Sequence, residues 1–527
     1  MRNLVILTGI FCLADCTVGP DYKAPAPPVN PAWNDLSKYQ DSTVSTNSNP
    51  DPLWWNQFND PVLSLLITRA IAGNPDLQEA LLRVVEAHQN EIATAAAGLP
   101  TLNGNASYMR EQLGLKGLLE SHGAYADLNK LADGLNQYSP TLGKEVATAG
   151  PVALNSLAGP VNLYQYGLSS SWELDLFGKV RRSVEQAKAT TEAQQESAND
   201  ALVMLESQVA QAYFQLRGAQ ALEQQQQKNI RIAQEQLRLT QNRQQQGLAT
   251  DLDVAQAGTE LDNEQSQING YDKQNEQAID QINLLLGEQP GTMDALLSGI
   301  RPLPAVPKII GVGVPAELAR RRPDIREAEA ELHAATAGVG IAVARFYPDI
   351  SLTGSAGLRA TDGSYLTNWA SLFYSAGPTI SLPIFEGGTL VANLKTARAE
   401  QAAAALNYRA TVLSALREVE DALIALRTDR SSRDQTAATE QAAEFEFYLS
   451  NNRFTHGLSS YLQVLDSERS LVSAREQLAQ ANVQLATDAG VLYTSLGGGW
   501  TNTPVNAPKV TAVPPPLPAA ADSVAGQ

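Results

Sequence analysis

The sequence predicts a mixed α+β membrane protein: long antiparallel α-helical coiled coils carrying four short β-strands per chain. Three observations predict it. Proline is missing from Val180 to Gln289 and again from Glu386 to Thr503, and each span breaks near its middle only at Gly247 or Gly457. Four segments of about ten residues alternate apolar and polar side chains, the period of a strand that is apolar on one face. Finally, the pattern occurs twice. Arg243, Gly247, Leu248 and Val254 are answered by Arg453, Gly457, Leu458 and Val464 at a constant offset of 210. Pro75-Asp76-Leu77 and Pro100 are answered by Pro323-Asp324-Ile325 and Pro348 at an offset of 248. The first copy therefore holds an insert of about forty residues, and duplication fits a unit that cannot bury its apolar face alone.

The first fifteen residues read as a signal peptide. Arg2 supplies the positive end, and Leu4 to Ala14 are apolar over a length too short to span a bilayer. Leu13-Ala14-Asp15-Cys16 resembles a bacterial lipobox, in which Cys16 becomes the lipidated N-terminus; Asp15 departs from the small residue expected there. Cys12 and Cys16 are the only cysteines, so no disulfide framework or thiolate metal site is expected in the body. Residues 16–60, rich in Pro, Asn and Ser, read as an arm. Helix is expected over 61–99, with Leu63, Leu66, Ile67 and Ala70 on one face and a restart at Asn74-Pro75-Asp76.

Strands follow over 100–176. Leu102, Ala106 and Tyr108 alternate with Asn103, Asn105 and Ser107, and Tyr164 to Leu176 alternate in the same way. Between them, 111–160 reads as a long external loop. A helical hairpin is expected over 177–289. Lys179 to Gln246 alone would run about 100 Å as a helix, implying a coiled coil or a stack of helices. Its apolar positions are mostly small, such as Ala189, Ala193, Ala198, Leu202 and Val209, which lets helices lie close. Residues 290–322 read as a connecting equatorial segment. The second copy brings helix over 323–347, strands over 348–385 and a hairpin over 386–496. The strands alternate at Ile350, Leu352 and Leu358, then at Ile380, Leu382 and Ile384. The tail, 497–527, is expected to contribute to the equatorial segment and then to be disordered after Trp500.

Four strands cannot close a membrane barrel, whose smallest members have about eight. The same alternation suits any half-buried soluble strand; if these are membrane strands, lipid tolerates no open sheet edge and several chains must share one barrel.

A net charge of −18 argues against nucleic-acid partners. His88, His122, His333 and His456 stand alone, so no metal or other cofactor is expected. With neither a nucleophile motif nor a phosphate-binding loop, the chain reads as a conduit and not an enzyme.

These residues resemble the TolC-like outer-membrane factors, most closely the OprM/NodT-type lipoproteins. The resemblance rests on Cys16-Thr17-Val18-Gly19-Pro20-Asp21-Tyr22, Arg321-Arg322-Pro323-Asp324-Ile325 and Phe346-Tyr347-Pro348-Asp349-Ile350-Ser351-Leu352. It continues with Pro378-Thr379-Ile380-Ser381-Leu382-Pro383-Ile384-Phe385 and Leu496-Gly497-Gly498-Gly499-Trp500, covering residues 16–500. It implies a homotrimer with a twelve-stranded barrel in the outer membrane, continued by a periplasmic helical barrel and anchored by N-acyl and diacylglycerol lipid on Cys16. The implied partners are a periplasmic membrane-fusion adaptor and an inner-membrane pump of the RND (proton-driven) type. A type I protein-secretion duct uses the same architecture, and a coiled-coil protein without a pore is the reading from another class.

The resemblance also implies sites. Leu462 and Asp466 match residues that narrow the periplasmic mouth, and Arg469 matches one that helps hold it shut. TolC-type channels use an Asp, a Tyr and an Arg nearby. Asp253 matches the Asp, whereas Phe454 and Ser459 stand where the other two would be. The turns Gly247-Leu248-Ala249 and Gly457-Leu458-Ser459 are the expected adaptor-docking tips.

Overall fold

A computed structural model describes residues 17–26, 29–39, 43–112 and 114–500. The signal segment, Cys16 and the tail beyond Trp500 lie outside the described residues. The described chain divides into two compact units.

The first unit holds the sheet. Strands β2 (Thr101–Glu111), β3 (Val161–Leu174), β5 (Asp349–Ala360) and β6 (Leu372–Ser381) form an antiparallel sheet in the order β2-β3-β5-β6. Here β1 (Val44–Ser45) and β4 (Ile310–Gly311) are a small parallel pair in the other unit. The two repeats join along β3 and β5, in register from Tyr164↔Ala360 to Leu174↔Ile350. Gly167 and Gly357 are paired across these strands, and a Cβ on either would come within 2.4 Å of a carbonyl oxygen of the other strand.

One face of the sheet carries Leu102, Tyr166, Leu168, Trp172, Leu352 and Ile380, all exposed, as a lipid-facing surface requires. The other is polar and internally bonded. Asn105 donates to Ser169 at 2.7 Å, Arg359 to Gln165 at 2.9 Å, and the Ser355 and Ser375 hydroxyls lie 2.9 Å apart.

Two expectations are corrected here. The fourth strand was expected to run through Leu382 and Ile384, but β6 ends at Ser381 and begins further upstream, at Leu372. Pro383 cannot donate to a ladder. The insert expected as a loop instead forms three helices, Leu115–Ser121, Ala124–Asn136 and Pro140–Ala158. The last two pack antiparallel. The Tyr125 hydroxyl donates to Asn155 at 2.9 Å, and Gly150 and Gly143 lie against Leu128 and Asn136 with no room for a Cβ.

The second unit holds most of the helical residues. Counting in chain order, α1 is Asn34–Lys38, α2 Pro61–Gly73 and α3 Pro75–Ala96; the insert supplies α4, α5 and α6. Asp60 caps α2 by accepting from Val62 and Leu63, and Pro61 takes the first helical position, where its missing N–H costs nothing. Leu63, Leu66, Ile67 and Ala70 are fully buried, as their spacing predicts.

The first hairpin is α7 (Lys179–Gln245) and α8 (Asp251–Leu285). The short α9 (Asp294–Leu297), α10 (Pro315–Arg321) and α11 (Pro323–Ala344) lead to the second hairpin, α12 (Thr389–Thr455) and α13 (Tyr461–Ser495). Both hairpins have arms of 67 and 35 residues, so the offset of 210 holds at every helix end.

The principal core of this unit packs Trp54, Phe58, Tyr213, Phe214 and Tyr493 between the hairpins and the arm. Trp33 donates to Gly313 at 3.1 Å, and Arg427 pairs with the buried Asp35 at 3.1 Å. The Arg322-Pro323-Asp324 motif has a structural role: Arg322 pairs with Asp324 at 2.8 Å and Glu418 at 2.7 Å, and donates to the Ser495 carbonyl.

Candidate functional site at the hairpin tips

Both tips turn through a left-handed glycine, Gly247 at φ 73° and Gly457 at φ 75°. Leu248 and Leu458 donate back to the carbonyls of Arg243 and Arg453 at 2.8 Å, and each glycine donates to the carbonyl three residues before it. This is the Schellman arrangement, which satisfies the last carbonyls of a helix. Little surrounds either glycine, so it is the backbone angle and not space that excludes a side chain. Leu248 and Leu458 project from the turns about two-thirds exposed. Ala249 and Ser459 follow, and the Ser459 hydroxyl is buried without a partner.

Beyond the turns the tips diverge. Thr250 and Asp253 form a capping box: Asp253 accepts from the Thr250 amide and hydroxyl, each at 2.8 Å, and its own amide donates to Thr250. Asp253, carried over as a gate residue, is thus already committed to its own helix end. At the second tip Ser460 makes no side-chain cap.

Phe454, also carried over, lies inside a small core with Ala257, Tyr461, Val464 and Leu465. It is 4% exposed within a single chain, so assembly can only bury it further. Its contribution is packing and not a pore-facing surface. Arg243 from the first tip stacks over its ring at 4.6 Å and donates to the Phe454 carbonyl at 2.7 Å. A cation at a helix C-terminus is favoured by the dipole, and here it binds one tip to the other.

Leu462, Asp466 and Arg469 all lie on the exposed side of α13, opposite Tyr461, Val464, Leu465 and Glu468. Leu462 and Asp466 are one turn apart and share a face. Arg469 is paired within its own chain, donating to Glu260 of α8 at 2.7 Å. Glu260 is buried, as are Glu264 and Glu468, and neither oxygen of Glu468 has a hydrogen-bond partner. Burial, then the charges of Glu260 and Glu264, raise the Glu468 pKa to about 7 against the opposing pull of Arg469.

The sequence reading gave no role to Glu260, to Glu468 or to the cross-tip reach of Arg243. A signal for Glu468 existed: Tyr461, Val464, Leu465, Glu468 and Leu471 follow helical spacing, which puts one acid inside an apolar stripe.

The model of the outer membrane efflux protein family matches residues 66–288 and 314–498, most of the chain. The chain belongs to this family. It is 32% identical to the solvent efflux pump outer membrane protein SrpC of Pseudomonas putida, over 93% of this chain and 97% of that one. It is also 32% identical to the cation efflux system protein CusC of Escherichia coli, over 93% and 98%. Among solved structures, the outer-membrane channel OprN matches with a TM-score of 0.78 and 32% identity, covering 92% of this chain and all of that one. The protein is therefore an outer-membrane efflux channel. Its four-stranded sheet has free edges at β2 and β6, so a single chain does not close a barrel.

Proposed function

We propose that this channel is the exit duct of a tripartite efflux system. A periplasmic adaptor and an inner-membrane pump of the RND type would feed it small toxic compounds. The observation that carries the reading is the pair of matched glycine turns. They end two coils of equal length and present Leu248 and Leu458 where the helical hairpin of an adaptor could meet them end-on. The solvent pump's channel is the better guide to cargo than the cation system's, because four methionines offer little soft-metal capacity. Leu462 and Asp466, repeated by three-fold symmetry, form an apolar ring and an acidic ring at the periplasmic mouth. The acidic ring favours cations. Cys16 carries the lipid anchor, which adds to a barrel that already spans the membrane.

Expression in a strain lacking its own exit duct tests the reading. The parent chain, supplied with its adaptor and pump, restores resistance to solvents or antibiotics. Gly457→Val keeps trimer levels but loses that resistance, because a β-branched residue is costly at positive φ. Cys16→Ser takes up no labelled palmitate. Normal resistance with normal adaptor cross-linking in Gly457→Val contradicts docking at the tips.

A further inference from the structure

Glu468 is two residues from Asp466 and adjacent to Arg469, yet on the buried side of α13. Its neighbours make it an expensive place for a charge. From α8, Glu260 and Glu264 face it; from its own helix, Tyr461 and Arg469. Only Arg469 is a cation, and its guanidinium is already held by Glu260. Glu264 takes its hydrogen bond from Gln226 of α7 at 2.6 Å, a neutral donor. Further along α13, Arg475 is paired with Glu440 and Glu444 of α12, and Glu476 accepts from Tyr271. No second cation is therefore offered to Glu468 by these groups. A buried carboxylate without a partner is strongly disfavoured, whereas its neutral acid is tolerated.

The same position in the first repeat, 210 residues earlier, is Gly258, so this acid belongs to the second tip alone. There it borders the Arg469–Glu260 ion pair, which ties α13 to α8 at the level of the proposed mouth.

We propose that Glu468 is a proton-operated positioning residue of the periplasmic mouth. As the neutral acid it lets α8 and α13 close on each other. On losing its proton to water it puts a third carboxylate into the seam, competes with Glu260 for Arg469 and drives the mouth towards opening. The proposal rests on the reading that Leu462 and Asp466 form the constriction.

The direction follows from linkage. In the conformation described, which the proposal takes as the closed one, Glu468 holds its proton up to about pH 7, whereas a solvated glutamate releases it near 4.5. The closed state therefore binds more protons between these values. Its advantage is complete at the acidic end and is lost as pH rises through about 7. With full solvation on opening, the closed-to-open ratio falls by on the order of a hundredfold per protomer across that window.

The test is single-channel recording of the full trimer in a planar bilayer, with pH varied on the periplasmic side from about 5 to about 8. Resting conductance of the parent is low in acid and steps up near neutrality. Glu468→Gln, which cannot ionise, stays low throughout. A parent indifferent to pH, or a Glu468→Gln channel with the parental step, overturns the proposal. Infrared difference spectra of the parent trimer cover the case in which the variant does not assemble. A carboxylic-acid band must disappear between about pH 6 and about 8, and its persistence also overturns the proposal. Failure of the constriction itself appears differently: Leu462→Ala/Asp466→Ala then conducts like the parent while the infrared titration remains.

Discussion

The two hairpin tips share a backbone and differ in chemistry. Arms of 67 and 35 residues, left-handed glycines and back-bonded leucines repeat at an offset of 210. Yet Phe454 answers Gln244, Ser460 answers Thr250, Asp466 answers Gln256 and Glu468 answers Gly258. The first tip satisfies its helix end locally, with a capping box and exposed polar residues. The second packs Phe454 and Tyr461 into a core that takes in Ala257 of the first hairpin, and buries Glu468 beside the Arg469–Glu260 ion pair. Duplication thus supplied two equivalent rods; of the features proposed to control the mouth, Asp466, Glu468 and Arg469 have no like residue in the first repeat, Leu462 is matched by Leu252, and Glu260 is contributed by the first hairpin.

Paired substitutions break this comparison most sharply where the packing differs most. Phe454→Ala removes a buried ring and the seat of Arg243, and should destabilise the second tip by about 3 kcal/mol. Gln244→Ala, its exposed counterpart, should cost under about 0.5 kcal/mol. Hydrogen exchange of the tip amides in the trimer reads both, and equal effects would show that the tips are energetically alike. A smaller contrast lies at the caps. Thr250→Ala should cost about 1 kcal/mol, since it deletes half of a capping box. Ser460→Ala should cost almost nothing, because Ser460 makes no cap bond. A matching loss at Ser460 would mean that its hydroxyl caps α13 in solution.

Much of the architecture was legible because long helices and alternating strands are local signals. The absence of proline bounded both hairpins, and glycines at 247 and 457 marked their turns to within a residue. Register between β3 and β5 was not readable, since it joins distant segments through backbone bonds and two glycines. The helical insert was missed because its glycines and Pro151 mask a short stripe of Leu128, Ala132 and Leu135. In the site, Leu462, Asp466 and Arg469 came only from family resemblance. Their exposed side of α13 has no periodic signal distinguishing it from any solvated face. That Asp253 is engaged in a capping box and Phe454 in a small core was not readable, because matching a residue's position does not reveal whether its side chain is already engaged. Glu260 and Glu468 meet only when two helices about 200 residues apart in sequence pack together.

The central claim, that the mouth is narrowed by the second repeat and not by the first, has one direct measurement. Single-channel conductance at fixed pH should be compared between Leu462→Ala/Asp466→Ala and the equivalent first-repeat pair, Leu252→Ala/Gln256→Ala. A several-fold rise in resting conductance is expected for the second-repeat pair, and parental conductance for the first-repeat pair. Equal conductance in both, or a rise confined to the first-repeat pair, would contradict it.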